Sequence, residues 1–144
     1  MTFKPVFASI ILATLAAAPV GAGAVEQIHD PVGFGPGQRI PATLTLNFSE
    51  DGRDARITPI FSNYRPKVVF NGREVICMIR FAPEIGTIAP GESGEVNLDC
   101  KDPVSVARAG TRMIVREGRK DVGYVDIHLP PAPDEDTLDG EQAR

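Results

Sequence analysis

The feature that most constrains this fold is a two-residue turn signal set between two apolar runs. Lys67-Val68-Val69-Phe70 and Glu74-Val75-Ile76-Cys77-Met78-Ile79 flank Asn71-Gly72. Asn and Gly accept positive φ at both central turn positions, so the stretch predicts a tight antiparallel hairpin. Strand patterning recurs on both sides of it. Ala42, Leu44, Leu46 and Phe48 alternate with Thr43, Thr45 and Asn47, the period of a half-buried strand. Val96, Leu98 and Cys100 alternate with Glu95, Asn97, Asp99 and Lys101. Met113-Ile114-Val115 and Val122 to Ile127 read as two further strands, joined by a turn at Gly118-Arg119-Lys120-Asp121. Ala89-Pro90-Gly91-Glu92 is another turn, and the polar stretch 49–58 is a loop. No stretch has helical periodicity. Six or seven short strands in about a hundred residues predict a closed or nearly closed antiparallel barrel, and closure removes exposed strand edges.

Composition narrows the function classes. A chain of 144 residues with 42% hydrophobic and 24% charged residues supports one domain. It excludes separate cofactor and substrate lobes. Two His, two Cys and no Trp leave little material for a metal site or a His-dependent catalytic centre, so no catalytic residue, metal or cofactor is expected.

The two ends of the chain read differently from its body. Lys4 precedes an apolar run from Val6 to Ala18, which Pro19 breaks before Ala22-Gly23-Ala24. The run is short for a membrane span, and its flanks and small-residue site match a secretory signal peptide over 1–24, cleaved before Val25. Residues 25–39 form an N-terminal extension ahead of a barrel over 40–129. Residues 130–144 open with Pro130-Pro131-Ala132-Pro133 and carry Asp134, Glu135, Asp136, Asp139 and Glu141. Such a segment buries too little apolar surface to offset its ordering entropy and is expected to be a disordered acidic tail. With the tail and signal set aside, residues 25–130 hold 13 basic and 14 acidic residues. A nearly neutral body lacks the basic footprint usual for nucleic-acid binding.

Three motifs, in order and in register, resemble one family. Thr58-Pro59-Ile60-Phe61-Ser62-Asn63-Tyr64-Arg65-Pro66, then Ala89-Pro90-Gly91-Glu92, then Arg112-Met113-Ile114-Val115-Arg116-Glu117-Gly118 through Val122-Gly123 are similar to the third, C-terminal domain of bacterial elongation factor Tu. Asp51-Gly52-Arg53 is similar to the family's Gly-Gly-Arg segment, with two extra residues before the Thr-Pro. The resemblance covers roughly 40–129. It implies a six-stranded antiparallel Greek-key barrel. It implies no GTPase activity and no nucleotide, because that chemistry belongs to another domain of the factor and this chain has no Gly-x-x-x-x-Gly-Lys-Ser/Thr loop.

In the family this domain contacts aminoacyl-tRNA and the nucleotide domain. Arg116, Glu117 and Gly118 match the segment near the tRNA backbone, and Arg65 matches an arginine near the domain interfaces. Arg119-Lys120-Asp121 and Tyr124 depart from the family pattern. Each residue also has a plainer reading. Arg116-Glu117-Gly118 suits a strand end and turn with surface ion pairs. Tyr64-Arg65-Pro66 suits a fixed loop, since Pro66 holds Arg65 extended.

Cys77 and Cys100 both fall in expected strands. An exported protein meets an oxidising compartment, so a disulfide is expected, closing a loop of 24 residues. Chain entropy assigns such a loop roughly 3 kcal/mol. Two small buried thiols are the alternative. Taken together, these readings predict a non-enzymatic exported module, periplasmic or extracellular. It would bind a protein or surface ligand through Arg53, Arg56, Arg65, Arg116 and Arg119. RNA or tRNA binding is the alternative.

Overall fold

The structure, a computed structural model, describes residues 31–132 and the isolated Thr2. The expected signal segment and all of the acidic tail beyond residue 132 lie outside the described residues. Ten strands follow in chain order: β1 (Val32–Phe34), β2 (Arg39–Leu46), β3 (Ile60–Phe61), β4 (Lys67–Phe70), β5 (Arg73–Arg80), β6 (Thr87–Ile88), β7 (Ser93–Cys100), β8 (Val104–Val106), β9 (Arg112–Glu117) and β10 (Lys120–Ile127). There is no helix among the described residues.

Six of these strands close an antiparallel barrel in the order β10-β2-β7-β5-β4-β9, with β9 returning to β10. Strands β4, β5 and β7 follow one another, and β9 crosses back to lie beside β4, which is Greek-key topology. The expected six-stranded Greek-key barrel is therefore the fold. The alternation of apolar and polar residues explains it locally. Ile40, Ala42, Leu44 and Leu46 of β2 point inward, as do Val96, Leu98 and Cys100 of β7 and Val122 and Val125 of β10. A barrel of this size is filled by such side chains rather than hollow. No charged or polar residue is buried among those described.

Two short sheets cover the barrel ends. β1 pairs with β8 where β2 begins and β7 ends, burying Phe34, Val104 and Val106. β3 pairs with β6 at the opposite end, burying Ile60 and Ile88. The described part of the N-terminal extension is thus built into the fold, since Val32–Phe34 is a paired strand and Arg39 already belongs to β2.

Two local features fix the register. Phe70 and Arg73 pair directly, leaving Asn71 and Gly72 alone in the turn with φ of 50° and 79°. This is the hairpin that Asn-Gly predicts. The second feature is a bulge between Asp121 and Gly123, where β10 approaches β2 closely. A Cβ at position 123 would strike the Thr45 carbonyl, so only glycine admits that approach.

One strand ends earlier than its pattern predicts. β2 stops at Leu46, and Phe48 is 70% exposed instead of facing the core. Leu46 donates to the Glu92 carbonyl and accepts from the Gly91 N–H, and Asn47 donates to the Val122 carbonyl. Beyond Asn47 the ladder has no further partner, so the chain leaves the sheet and Phe48 comes to rest beside Gly91.

Candidate functional site

The loop 47–59 and the β9–β10 hairpin meet at one end of the barrel. The hairpin turn consists of Gly118 and Arg119, because Glu117 and Lys120 pair across it. Gly118 takes φ of 62° there. Arg116-Glu117-Gly118 is therefore a strand end and turn, as the plainer reading expects.

Glu117 is the centre of the contact. Its Oε2 accepts a hydrogen bond from the Tyr64 hydroxyl at 2.5 Å and an ion-pair bond from Arg56 Nη1. The Arg56 guanidinium also stands 5.1 Å from the centroid of the Tyr64 ring. Its remaining donors bond the Thr58 carbonyl at 3.3 Å and the Thr58 hydroxyl at 3.1 Å. On the other side of the hairpin, Lys120 Nζ donates to the carbonyls of Gly52 at 2.9 Å and Ala55 at 3.4 Å. Ala55 is fully buried beneath the loop. The middle of the loop, from Gly52 to Arg56, is thereby strapped to both strands of the hairpin.

The electrostatics follow from this geometry. Partial burial alone would raise the Glu117 carboxyl, but the bonds from Tyr64 and Arg56 outweigh it and hold the carboxyl below its ordinary value. Burial and the adjacent carboxylate push the Tyr64 phenol above its ordinary value. Asp51 is also held low, by the Ser49 hydroxyl and the Arg53 backbone N–H.

Two adjoining clefts open between loop and hairpin. One, of about 470 Å³, is lined by Asp51, Arg56, Ile57, Thr58, Glu117 and Lys120 among others. The next, of about 620 Å³, is lined by Arg53, Asp54, Glu117, Arg119, Lys120 and Asp121. Both are open and mixed in charge. They offer donors and acceptors to a polar ligand. Among the described residues no group of three His, Cys, Asp or Glu side chains is placed to hold a metal.

The structure brings together only some of the residues singled out from sequence. Arg53, Arg56, Glu117 and Arg119 line the clefts, and Gly118 makes the turn between them. Arg116 lies on the neighbouring outer face, bonded to Asp121 at 2.7 Å and to Glu74 at 3.0 Å. These two carboxylates hold its guanidinium protonated far above the neutral range. Arg65 lies apart, in a shallow hollow with Ile76, Met78, Asp99 and Lys101. Lys120, Thr58 and Asp54 also line the clefts, although the sequence singled out none of them as a binding residue and Thr58 stood only at the head of a motif. Lys120 could be found only as the neighbour of a turn.

Cys77 and Cys100 stand directly opposite each other on β5 and β7 and are joined by a disulfide with a Cα–Cα distance of 4.0 Å. Both are buried inside the barrel. The fold and this site together define a small disulfide-linked Greek-key barrel with a strapped loop at one end. No known family model matches the chain.

Proposed function

We propose that this protein is a non-enzymatic, exported β-barrel module that binds a protein or surface ligand outside the cytoplasm through the clefts around Glu117. The observation that carries the reading is the Cys77–Cys100 disulfide, sealed inside the barrel between adjacent strands. Such bonds persist in oxidising compartments and are rare in the cytosol. The signal-like residues 1–24 supply the second support. The Greek-key barrel agrees with the resemblance to the third domain of elongation factor Tu, which brings no nucleotide site with it. The clefts supply exposed guanidinium groups from Arg53 and Arg119 next to the carboxylates of Asp54 and Asp121. That arrangement suits a polar, structured partner, whereas a polyanion such as tRNA would meet several like charges.

The test is the intact mass, without reductant, of the protein purified from its own host. A chain beginning at Val25 and lighter by the two thiol hydrogens is expected. A full-length chain with free thiols would overturn export. A filter-binding titration with tRNA separates the alternative. Affinity falling steeply with salt would favour RNA, and no retention at low salt is expected.

A further inference from the structure

The outer face of the barrel over β2, β7 and β5 carries a second feature. Strand register sets its residues in rows. Arg39 of β2 stands beside Asp99 of β7, which stands beside Met78 of β5. The segment before β4 continues the row, because Ile79 N–H bonds the Tyr64 carbonyl and Cys77 N–H bonds the Pro66 carbonyl, which sets Arg65 between them. In adjacent rows Lys101 lies against Ile76, its N–H bonding the Ile76 carbonyl at 3.0 Å, and Arg80 stands opposite Asn97. Alternation turns the strand residues outward, and Arg65 and Lys101 beyond the strand ends are exposed as well.

The result is an apolar floor of Ile76, 45% exposed, and Met78, rimmed by Arg39, Arg65, Arg80 and Lys101. Among the described residues none of these four cations forms an ion pair with a carboxylate. By contrast Arg53, Arg56, Lys67, Arg112 and Arg116 all do. Asp99 is the single acid within the patch. Four uncompensated cations around a small apolar floor fit an acidic segment that carries an apolar side chain.

We infer that the occupant is the chain's own acidic C-terminal segment, 134–141. Its sequence is Asp-Glu-Asp-Thr-Leu-Asp-Gly-Glu, so five carboxylates surround one leucine, Leu138. The charge is complementary to the rim, and Leu138 matches the floor. The route is short. The His128 N–H bonds the Pro41 carbonyl, and Arg108 holds the Pro130 carbonyl at 2.6 Å, so the chain leaves the barrel at the Arg39 end of β2. From there β2, β7 and β5 are successive neighbours. Three strand spacings come to about 14 Å. The seven residues from Ala132 to Leu138 reach about 23 Å when extended. The tether gives the segment an effective concentration on the order of millimolar at the patch, so weak intrinsic attraction suffices.

Amide NMR spectra of the oxidised protein with and without residues 133–144 test this. Removal is expected to shift the amides of Arg39, Arg65, Met78 and Asp99, and 0.5 M salt, with a screening length of about 4 Å, is expected to abolish that difference. A variant with Arg65→Glu and Lys101→Glu, both exposed, should reproduce the tail-free shifts while keeping the barrel spectrum. Leu138→Ser should reduce the shifts at Met78. Unchanged spectra on tail removal would overturn the inference. Shifts confined to Arg53, Arg119 and Lys120 would overturn it too, by placing the tail at the clefts. Because the readout is intramolecular, it is independent of whether the clefts bind an external ligand.

Discussion

Two contacts between neighbouring segments of this barrel are held by opposite means. Between β5 and β7 the link is covalent and interior, with Cys77 and Cys100 facing each other across the ladder and shielded from water. Between the 47–59 loop and the β9–β10 hairpin the link is polar and peripheral. It consists of Arg56, Tyr64 and Lys120 gripping one carboxylate and two carbonyls. The interior link limits what the unfolded chain can do and is indifferent to salt and pH. The peripheral one depends on ionisation and is weakened by solvent. A rigid wall and an adjustable rim on one scaffold would suit the binding role we propose. Binding residues gather on loops that a stable frame positions.

The largest predicted effect breaks the covalent side. Replacing both cysteines with alanine, or reducing the bond, should cost about 3 kcal/mol from loop closure alone. Urea unfolding of the oxidised protein and of the Cys77→Ala/Cys100→Ala variant measures it. A loss below about 1 kcal/mol would mean that the unfolded chain is already compact, and the two links would then differ less than their chemistry implies.

The next tests the closest approach of β10 to β2, which is neither covalent nor ionic. Gly123→Val places side-chain atoms against the Thr45 carbonyl at the bulge. Overpacking of this kind costs about 2 kcal/mol, readable as a lower melting temperature. An unchanged melting temperature would show that the bulge can shift along β2 and that the barrel wall is softer than its packing implies.

How far these contacts could be read in advance depends on how local their causes are. The Asn71-Gly72 turn was legible because two residues dictate it. The β2 and β7 faces were legible because period-two alternation extends over most of each strand. Phe48 misled because alternation cannot register where the ladder runs out of partners. Strands β1, β3, β6 and β8 span two or three residues, too few for any period to show. Cys77 and Cys100 were legible as a pair because no other cysteine competes. The Arg56–Glu117 contact was not, since 61 residues separate the partners and any of several acids could have met that arginine. The Tyr64 block was recognisable as a motif, yet its role of holding Glu117 emerges only when the barrel closes.

The polar side is broken more gently. Tyr64→Phe removes the hydroxyl that donates to Glu117 and should cost about 1 kcal/mol, less than is usual for a bond to a charged group because Glu117 is half exposed. Its pH signature is more specific. The fold holds the Glu117 carboxyl below its ordinary value of 4.5. Its contribution is therefore present above that value and is lost as pH falls through the lowered folded value. Glu117→Gln should flatten this part of the acid limb of the stability curve. A limb unchanged by Glu117→Gln would assign the acid sensitivity to other carboxylates.

The smallest effect belongs to a surface group with more ion pairs than the Glu117 cluster. Glu74 meets both Lys67 and Arg116, and Arg116 also meets Asp121. Arg116, with Lys67 beside it, holds the Glu74 carboxyl low, yet every side chain of this group is 30–48% exposed, whereas Arg56 of the Glu117 cluster is 19% exposed. Exposed pairs gain little because water screens them and long side chains lose freedom. Glu74→Gln should leave the urea midpoint nearly unmoved at physiological salt and lower it only at low ionic strength. If Glu74→Gln instead matched Tyr64→Phe at physiological salt, the number of ionic contacts rather than partial burial would govern the rim, and the contrast between the two links would have to be redrawn around charge alone.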